Sequence, residues 1–246
     1  MKRVLRILYQ PYKFLIFAPI VILSTSIVAI VAIGLAAVAG PKTAGKMGVV
    51  WARINAWATP MLVTVQGREN INKDISCVVV SNHQSQYDIF VLYGWLGMDF
   101  KWVMKQELRN IPGLGSACEK IGHIFIDRSN TQAALNSINA AREKIVNGTS
   151  VLFFPEGTRS KIAAMGPFKK GAFKFALDLG LPILPVTIEG TRRILPTKTF
   201  DLFPGKAEMI IHPLVNTSGY SDETLPVLMD RVRGIIVSEL PEAPKA

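Results

Sequence analysis

His83 and Asp88 stand five positions apart in Ser81-Asn82-His83-Gln84-Ser85-Gln86-Tyr87-Asp88, directly after the apolar run Val78-Val79-Val80. An imidazole and a carboxylate at that spacing can form a base couple. The carboxylate fixes the ring tautomer and stabilises the imidazolium, leaving the other ring nitrogen free to take a proton. With three histidines and eight aspartates in 246 residues, chance alone yields such a pair in about one chain in ten of this composition. Position adds the weight, because a histidine that ends a strand can be met by a carboxylate from the first turn of the next helix. The alternative is a capping box over Ser85–Asp88, with Asp88 only closing the helix start. Ser85 lies too near His83 to be activated as a nucleophile and is read as the N-cap.

A second group follows Val151–Phe154, in Pro155-Glu156-Gly157-Thr158-Arg159-Ser160. Gly157 lets backbone amides approach a ligand, Thr158 offers a hydroxyl, and Arg159 can grip a phosphate through two parallel hydrogen bonds. The alternative is a surface turn with a solvated ion pair. Two further cations, Lys105 and Arg128, lie near other strand ends and favour the anion site. A phosphate held there would orient its substrate, which can account for ~7–11 kcal/mol of a barrier. Lys169-Lys170 is either a solvated pair or a second anion contact, and His123 and His212 sit in strand-like runs as core or edge residues. There is no nucleotide-binding glycine loop and no metal-ligand spacing. Two cysteines, Cys77 and Cys118, exclude a disulfide scaffold.

These residues need strand ends to hold them. Leu62–Gln66, Ser76–Ser81, Lys101–Met104, His123–Ile126, Ser150–Phe154, Ile183–Ile188 and Ala207–His212 read as strands. The continuous apolar runs at 77–80 and 151–154 suit strands covered on both faces, as in a parallel sheet between helices. Ala134, Ile138, Ala141 and Ile145 follow helical spacing up to Asn147-Gly148, and Phe173, Leu177 and Leu181 trace a second helix. A third starts near Ser221 with Leu225, Leu228, Val232 and Ile235 on one stripe, Pro226 fitting in its first turn. The fold class is α/β, a largely parallel mixed sheet flanked by helices, over residues 61–246. Ligands of such sheets bind beyond the carboxyl ends of the strands, where the polar groups converge.

Charge is distributed unevenly. The chain carries 28 Lys+Arg against 18 Asp+Glu, a net +10. Residues 1–60 hold seven of the cations and no acid, leaving +3 for the remainder. In this segment Lys2, Arg3, Arg6, Lys13, Lys42, Lys46 and Arg53 flank an apolar run rather than interleave with polar and aromatic groups along a groove, which argues against nucleic acid. A hydrophobic fraction of 49% and a mean hydropathy of +0.29 exclude a disordered chain and point toward lipid. Phe14–Pro41 is 28 residues without a charge, about 42 Å if wholly helical and enough to span a bilayer core of about 30 Å. Pro19, Ser24-Thr25-Ser26 and Gly34 interrupt it, and cations lie on both sides. A second segment, Ala44–Thr64, places Trp51, Trp57 and Met61 beside Lys46 and Arg53, a composition suited to the headgroup level. Residues 1–60 therefore read as a basic two-helix element in one leaflet or re-entrant. The alternative is a single spanning helix.

Four blocks together resemble the glycerolipid acyltransferases, within them the 1-acyl-sn-glycerol-3-phosphate acyltransferases: Asn82–Asp88, Gly122–Arg128, Phe154–Ser160 and Leu184-Pro185-Val186-Thr187. Lys105-Gln106-Glu107-Leu108 resembles a family segment that contributes a phosphate-binding lysine. The resemblance covers roughly residues 60–215. It implies acyl transfer from acyl-CoA or acyl-carrier protein to the free hydroxyl of lysophosphatidate, with these thioesters as co-substrates and no cofactor or metal. It implies His83 as base and Asp88 as its partner, with Glu156, Gly157, Thr158, Arg159, Arg128 and Lys105 around the acceptor. It also implies an apolar tunnel for the donor chain and a two-helix membrane motif. An anionic membrane surface, at the cytoplasmic face of a bacterial inner membrane, is the expected location.

Overall fold

A computed structural model describes residues 7, 9–127, 140, 145, 148–160 and 164–241. Its centre is a seven-stranded sheet of β1 (Met61–Gln66), β2 (Val78–Ser81), β3 (Phe100–Lys105), β4 (Ile124–Ile126), β5 (Ser150–Phe153), β6 (Ile183–Glu189) and β7 (Gly205–Ile211). The spatial order is β1-β7-β6-β2-β5-β3-β4. Every pairing is parallel except β6 with β7, where Val186 faces Ile211 and Glu189 faces Glu208. The sheet is thus mixed and largely parallel, with each strand within a residue or two of its expected run.

Alternation along β2 shows why the central strands are apolar throughout. Val79 points into one core with Leu152, Leu184 and Val186, while Val78 and Val80 point into the other with Val151 and Ile183. Side chains of a strand alternate between faces, so a strand covered on both sides has no polar position. The first core is closed by α2 (Tyr87–Trp95) and the helix that precedes β1. The second is closed by α4 (Gly171–Leu179) and α6 (Leu225–Ser238). Helix α4 ends at Gly180 in the left-handed region, so Leu181 lies beyond it. The buried stripe of α6 runs Leu225, Leu228, Val232, Ile236. It ends on Ile236 rather than the expected Ile235, because steps of four keep 228, 232 and 236 in register. The expected helix over 134–145 lies outside the described residues apart from Ile145, which is buried.

The N-terminal element is the helical stretch α1 (Ala18–Ala58), preceded by a wider turn at Lys13–Phe17. It is broken at Gly40 (φ 79°, ψ 167°) followed by Pro41. A left-handed residue without Cβ strain and a proline lacking its N–H together end one helix and begin another. The two arms fold back on each other. Tyr12 donates to the carbonyl of Ala58 (2.8 Å), Trp51 Nε1 to Thr25 Oγ1 (2.9 Å) and Ser24 Oγ to Asn55 Oδ1 (3.2 Å). The second arm stops at Ala58, short of the expected Thr64, because β1 takes over at Met61. The stretch is long and apolar enough to cross a membrane, and Phe14, Leu15, Ile22, Leu23, Ile27, Ile30, Val38 and Trp57 are exposed along it. The opposite side of the second arm is buried: Ala52 and Ala56 belong to the first core of the sheet.

Candidate active site

His83 emerges from the carboxyl end of β2, at the centre of the sheet. Asn82 pins the strand end to β6, its side-chain amide donating to the carbonyl of Ile188 (2.8 Å) and its oxygen accepting the Ile188 amide (2.8 Å). The chain then turns into α2, which brings Asp88 back beneath His83. Asp88 Oδ2 accepts from His83 Nδ1 (2.8 Å) and from the backbone amides of Gln84 (2.7 Å) and Ser85 (2.9 Å). Thr191, in the short helix α5 (Thr191–Ile194), donates its hydroxyl to Asp88 Oδ1. The carboxylate is fully buried, and the His83 side chain is 13% exposed. Acceptance of the Nδ1 proton sets the tautomer and leaves Nε2 as the basic nitrogen. Phe154 stacks on the ring at 3.8 Å between centroids and holds its plane.

The capping and catalytic alternatives thereby merge. Ser85 Oγ accepts the Tyr87 amide (3.2 Å) while Asp88 returns a bond to the Ser85 amide, which is a capping box built with Asp. The same oxygen of Asp88 also holds His83. Ser85 Oγ donates to the Leu195 carbonyl (2.7 Å), so its hydroxyl is engaged structurally. With the Gln84, Ser85 and Tyr87 amides all engaged, these three donors do not serve a developing oxyanion.

The loop after β5 lies beside His83 because β2 and β5 are paired neighbours. Glu156 takes a different place from that expected. It is buried, and its two oxygens accept the amides of His83 (2.8 Å) and Gly166 (2.8 Å). Burial pushes its carboxyl group upward, opposed by these two amides. Glu156 therefore anchors the turn that carries His83. Ser160 closes the loop against the same turn, its amide donating to the His83 carbonyl (2.8 Å), and Thr197 donates to the carbonyls of Gln84 (2.9 Å) and Ser160 (3.1 Å). Thr191 and Thr197 follow β6 by a few residues, and only that position hints at their role.

Arg159 and Lys105 line the mouth of one cavity with His83. Lys105 is exposed and pairs with Glu107 (2.5 Å), a surface contact of little energetic weight. Thr158 is exposed beside Arg159. Gly157 has φ 74°, and a Cβ there would meet Lys169 Cε and Nζ at 3.0 Å, which brings the Lys169 ammonium to the same turn. Arg128 lies outside the described residues. Gly157→Ala is expected to strain the turn and displace Lys169, raising KM for a phosphorylated acceptor several-fold with a smaller change in kcat. Steady-state kinetics will check that split.

The cavity has a volume of about 380 Å³ and runs from His83 and Phe154 between the sheet and the helical arms. Thr25, Val28, Ala29, Ala32, Gly48 and Trp51 supply one wall, and Ile89, Trp102 and Val103, with Leu114 and Ile121 of α3 (Leu114–Ile121), much of the other. Such a mostly apolar cavity with polar groups at its mouth suits a hydrocarbon chain ending in a reactive head. Farther in, His123 Nδ1 accepts the Trp102 amide (3.3 Å), so Nε2–H donates to Tyr93 Oη (2.9 Å). Burial, assisted by Lys101, pushes His123 down to about 3 and keeps it neutral. Cys118, also on the wall, is pushed up to about 11 by burial and stays a thiol.

Comparison with known proteins fits this geometry. Residues 62–189 match the acyltransferase family model. A 1-acyl-sn-glycerol-3-phosphate acyltransferase of Pseudomonas aeruginosa is 31% identical over 197 residues, 78% of this chain and 76% of that protein. A chloroplastic 1-acyl-sn-glycerol-3-phosphate acyltransferase of Brassica napus is 40% identical over 166 residues, 66% of this chain and 47% of its own. The chain spans about half the length of such plant and algal relatives. The crystal structure of the 1-acyl-sn-glycerophosphate acyltransferase PlsC from Thermotoga maritima superposes with a TM-score of 0.82 at 28% identity, covering 98% of this chain and 96% of that one. From the family match from β1 to β6 and across the site, and from likeness along almost the whole fold, the chain belongs to the acyltransferase family.

Proposed function

We propose that this protein transfers a fatty acyl group from acyl-CoA or acyl-carrier protein to the sn-2 hydroxyl of 1-acyl-sn-glycerol-3-phosphate, giving phosphatidate. The observation that carries this reading is the junction of an Asp88-held His83 with an apolar cavity whose mouth bears Arg159 and Lys105. The donor chain occupies the cavity and presents its thioester at His83. The acceptor phosphate meets Arg159, with Lys169 beside it. As the acceptor oxygen attacks the thioester carbonyl, His83 Nε2 takes the hydroxyl proton. The tetrahedral centre collapses with cleavage of the C–S bond, and the imidazolium returns the proton to the departing sulfur. Asp88 stabilises the charge on the ring throughout. No covalent enzyme intermediate is needed, in keeping with the engaged Ser85 hydroxyl and the half-buried Cys118, which stays a thiol.

The exposed apolar side of α1 sits in one leaflet of a membrane, with Lys13, Lys42 and Lys46 at the headgroup level. An anionic surface such as the cytoplasmic face of a bacterial inner membrane suits that charge. The test is thiol release from acyl-CoA, and separately from acyl-carrier protein, with lysophosphatidate present or absent. Release that depends on lysophosphatidate supports the assignment. Equal release with lysophosphatidylglycerol shifts the acceptor, and fatty acid formed without acceptor marks a hydrolase. Arg159→Ala is expected to raise KM for lysophosphatidate about tenfold or more, the loss of one charge-assisted pair, while an acceptor without phosphomonoester is affected less. Unchanged kinetics would remove Arg159 from the phosphate site.

A further inference from the structure

A second cavity, about 340 Å³, lies at the other end of α2, against the amino ends of β3 and β5. Lys42, Lys46, Val49 and Arg53 face it from the second arm of α1, and Lys73 faces it from the loop before β2. The spacing 42, 46, 49, 53 places these four on one helix face. Arg53 is steered inward by its bond to the Gly94 carbonyl (2.9 Å) and its seat over the Trp95 ring (5.7 Å). Asp99 is the acid on the wall, and it is already engaged by Lys101 (3.1 Å) and Thr149 (2.9 Å). Lys42, Lys46 and Lys73 form no ion pair with a described residue. Gly148 (φ 79°) is needed to bring Lys73 here, since a Cβ would lie 1.9 Å from the Lys73 carbonyl oxygen.

Four cations converging on a concave surface repel one another unless an anion sits among them. We propose that this cavity is a second phosphate-recognition site, distinct from the catalytic mouth, that holds the headgroup of an anionic membrane phospholipid. The nine residues of α2 separate the two by roughly 13 Å. Lys42 and Lys46 follow the Gly40 break by two and six residues, and the arm that precedes the break exposes Ile27, Ile30 and Val38. A ligand with its phosphate among these cations therefore has an apolar layer beside it for its acyl chains. A free phosphate or the phosphates of a soluble donor would have no use for that layer.

The test uses the full chain and vesicles of phosphatidylcholine, with or without phosphatidylglycerol, in a co-sedimentation assay. The double variant Lys46→Ala and Lys73→Ala is expected to lose about tenfold or more of the preference for the doped vesicles, with binding to phosphatidylcholine alone retained. The double variant Lys206→Ala and Arg231→Ala removes the same charge from exposed positions outside both cavities and is expected to stay within about twofold of the parent. Equal losses in the two variants would mean diffuse attraction and overturn the site. Retained lipid preference with a raised KM for acyl-CoA or acyl-carrier protein would assign the cavity to the donor and overturn it as well. The readout is binding, so it stands or falls separately from the catalytic assignment.

Discussion

His83→Ala is expected to lower turnover by at least ~10²–10⁴, the usual worth of a general base, with little change in stability. Among the described residues, neither carboxylate beside the ring can substitute. Asp88 lies buried behind the ring with both oxygens engaged, and the Glu156 oxygens are held by two backbone amides. The ring contributes a stacked contact with Phe154 and one hydrogen bond to Asp88, and Asp88 keeps its bonds from the Gln84 and Ser85 amides and Thr191, so the fold should survive its loss. Rates of thiol release at saturating acceptor, set beside a melting curve, separate the two effects. Near-normal turnover in this variant would end the base assignment.

Asp88→Asn is expected to be the more informative substitution. An asparagine can turn its single oxygen toward His83 and the Gln84 and Ser85 amides, and its NH₂ toward Thr191, whose hydroxyl can rotate to accept. The hydrogen-bond inventory nearly closes, so stability should fall by about 1 kcal/mol or less, or 2–4 °C in melting temperature. The negative charge is gone, however, and with it the stabilisation of the imidazolium. Turnover should drop by ~10²–10⁴. Asp88→Ala, by contrast, strands buried donors at about 1–3 kcal/mol each and should lose stability and activity together. A conservative variant with wild-type turnover would reduce Asp88 to a helix cap. The double variant of His83 and Asp88 should be barely worse than His83→Ala, as expected for groups acting as a unit.

The strands were legible because their apolar runs end at polar turns, and the His83–Asp88 pair because both residues belong to one such turn. Glu156 was legible as part of the site but not in its role. A carboxylate beside an arginine reads as a ligand contact until the distant amides of His83 and Gly166 are seen to claim it. The support from Asn82, Thr191 and Thr197 depends on β6 lying next to β2, a pairing across about a hundred residues that local pattern does not encode. The reversal of β7 is hidden for the same reason, since an alternating strand has the same composition in either direction. The basic cavity gathers residues from α1 and from a loop twenty positions beyond Arg53, and only Lys42, Lys46 and Arg53 share a readable period. The charge asymmetry announced cations without saying that they would converge.

The helical hairpin also forms one side of the cavity that opens at His83, through Thr25, Val28, Ala29, Ala32, Gly48 and Trp51, and its Ala52 and Ala56 enter the core. It is consequently no detachable tether. Cutting the chain ahead of β1 in search of a water-soluble fragment would strip one wall from that cavity and bare the greasy underside of the sheet. Whatever solubilises this enzyme must leave the helical hairpin in place.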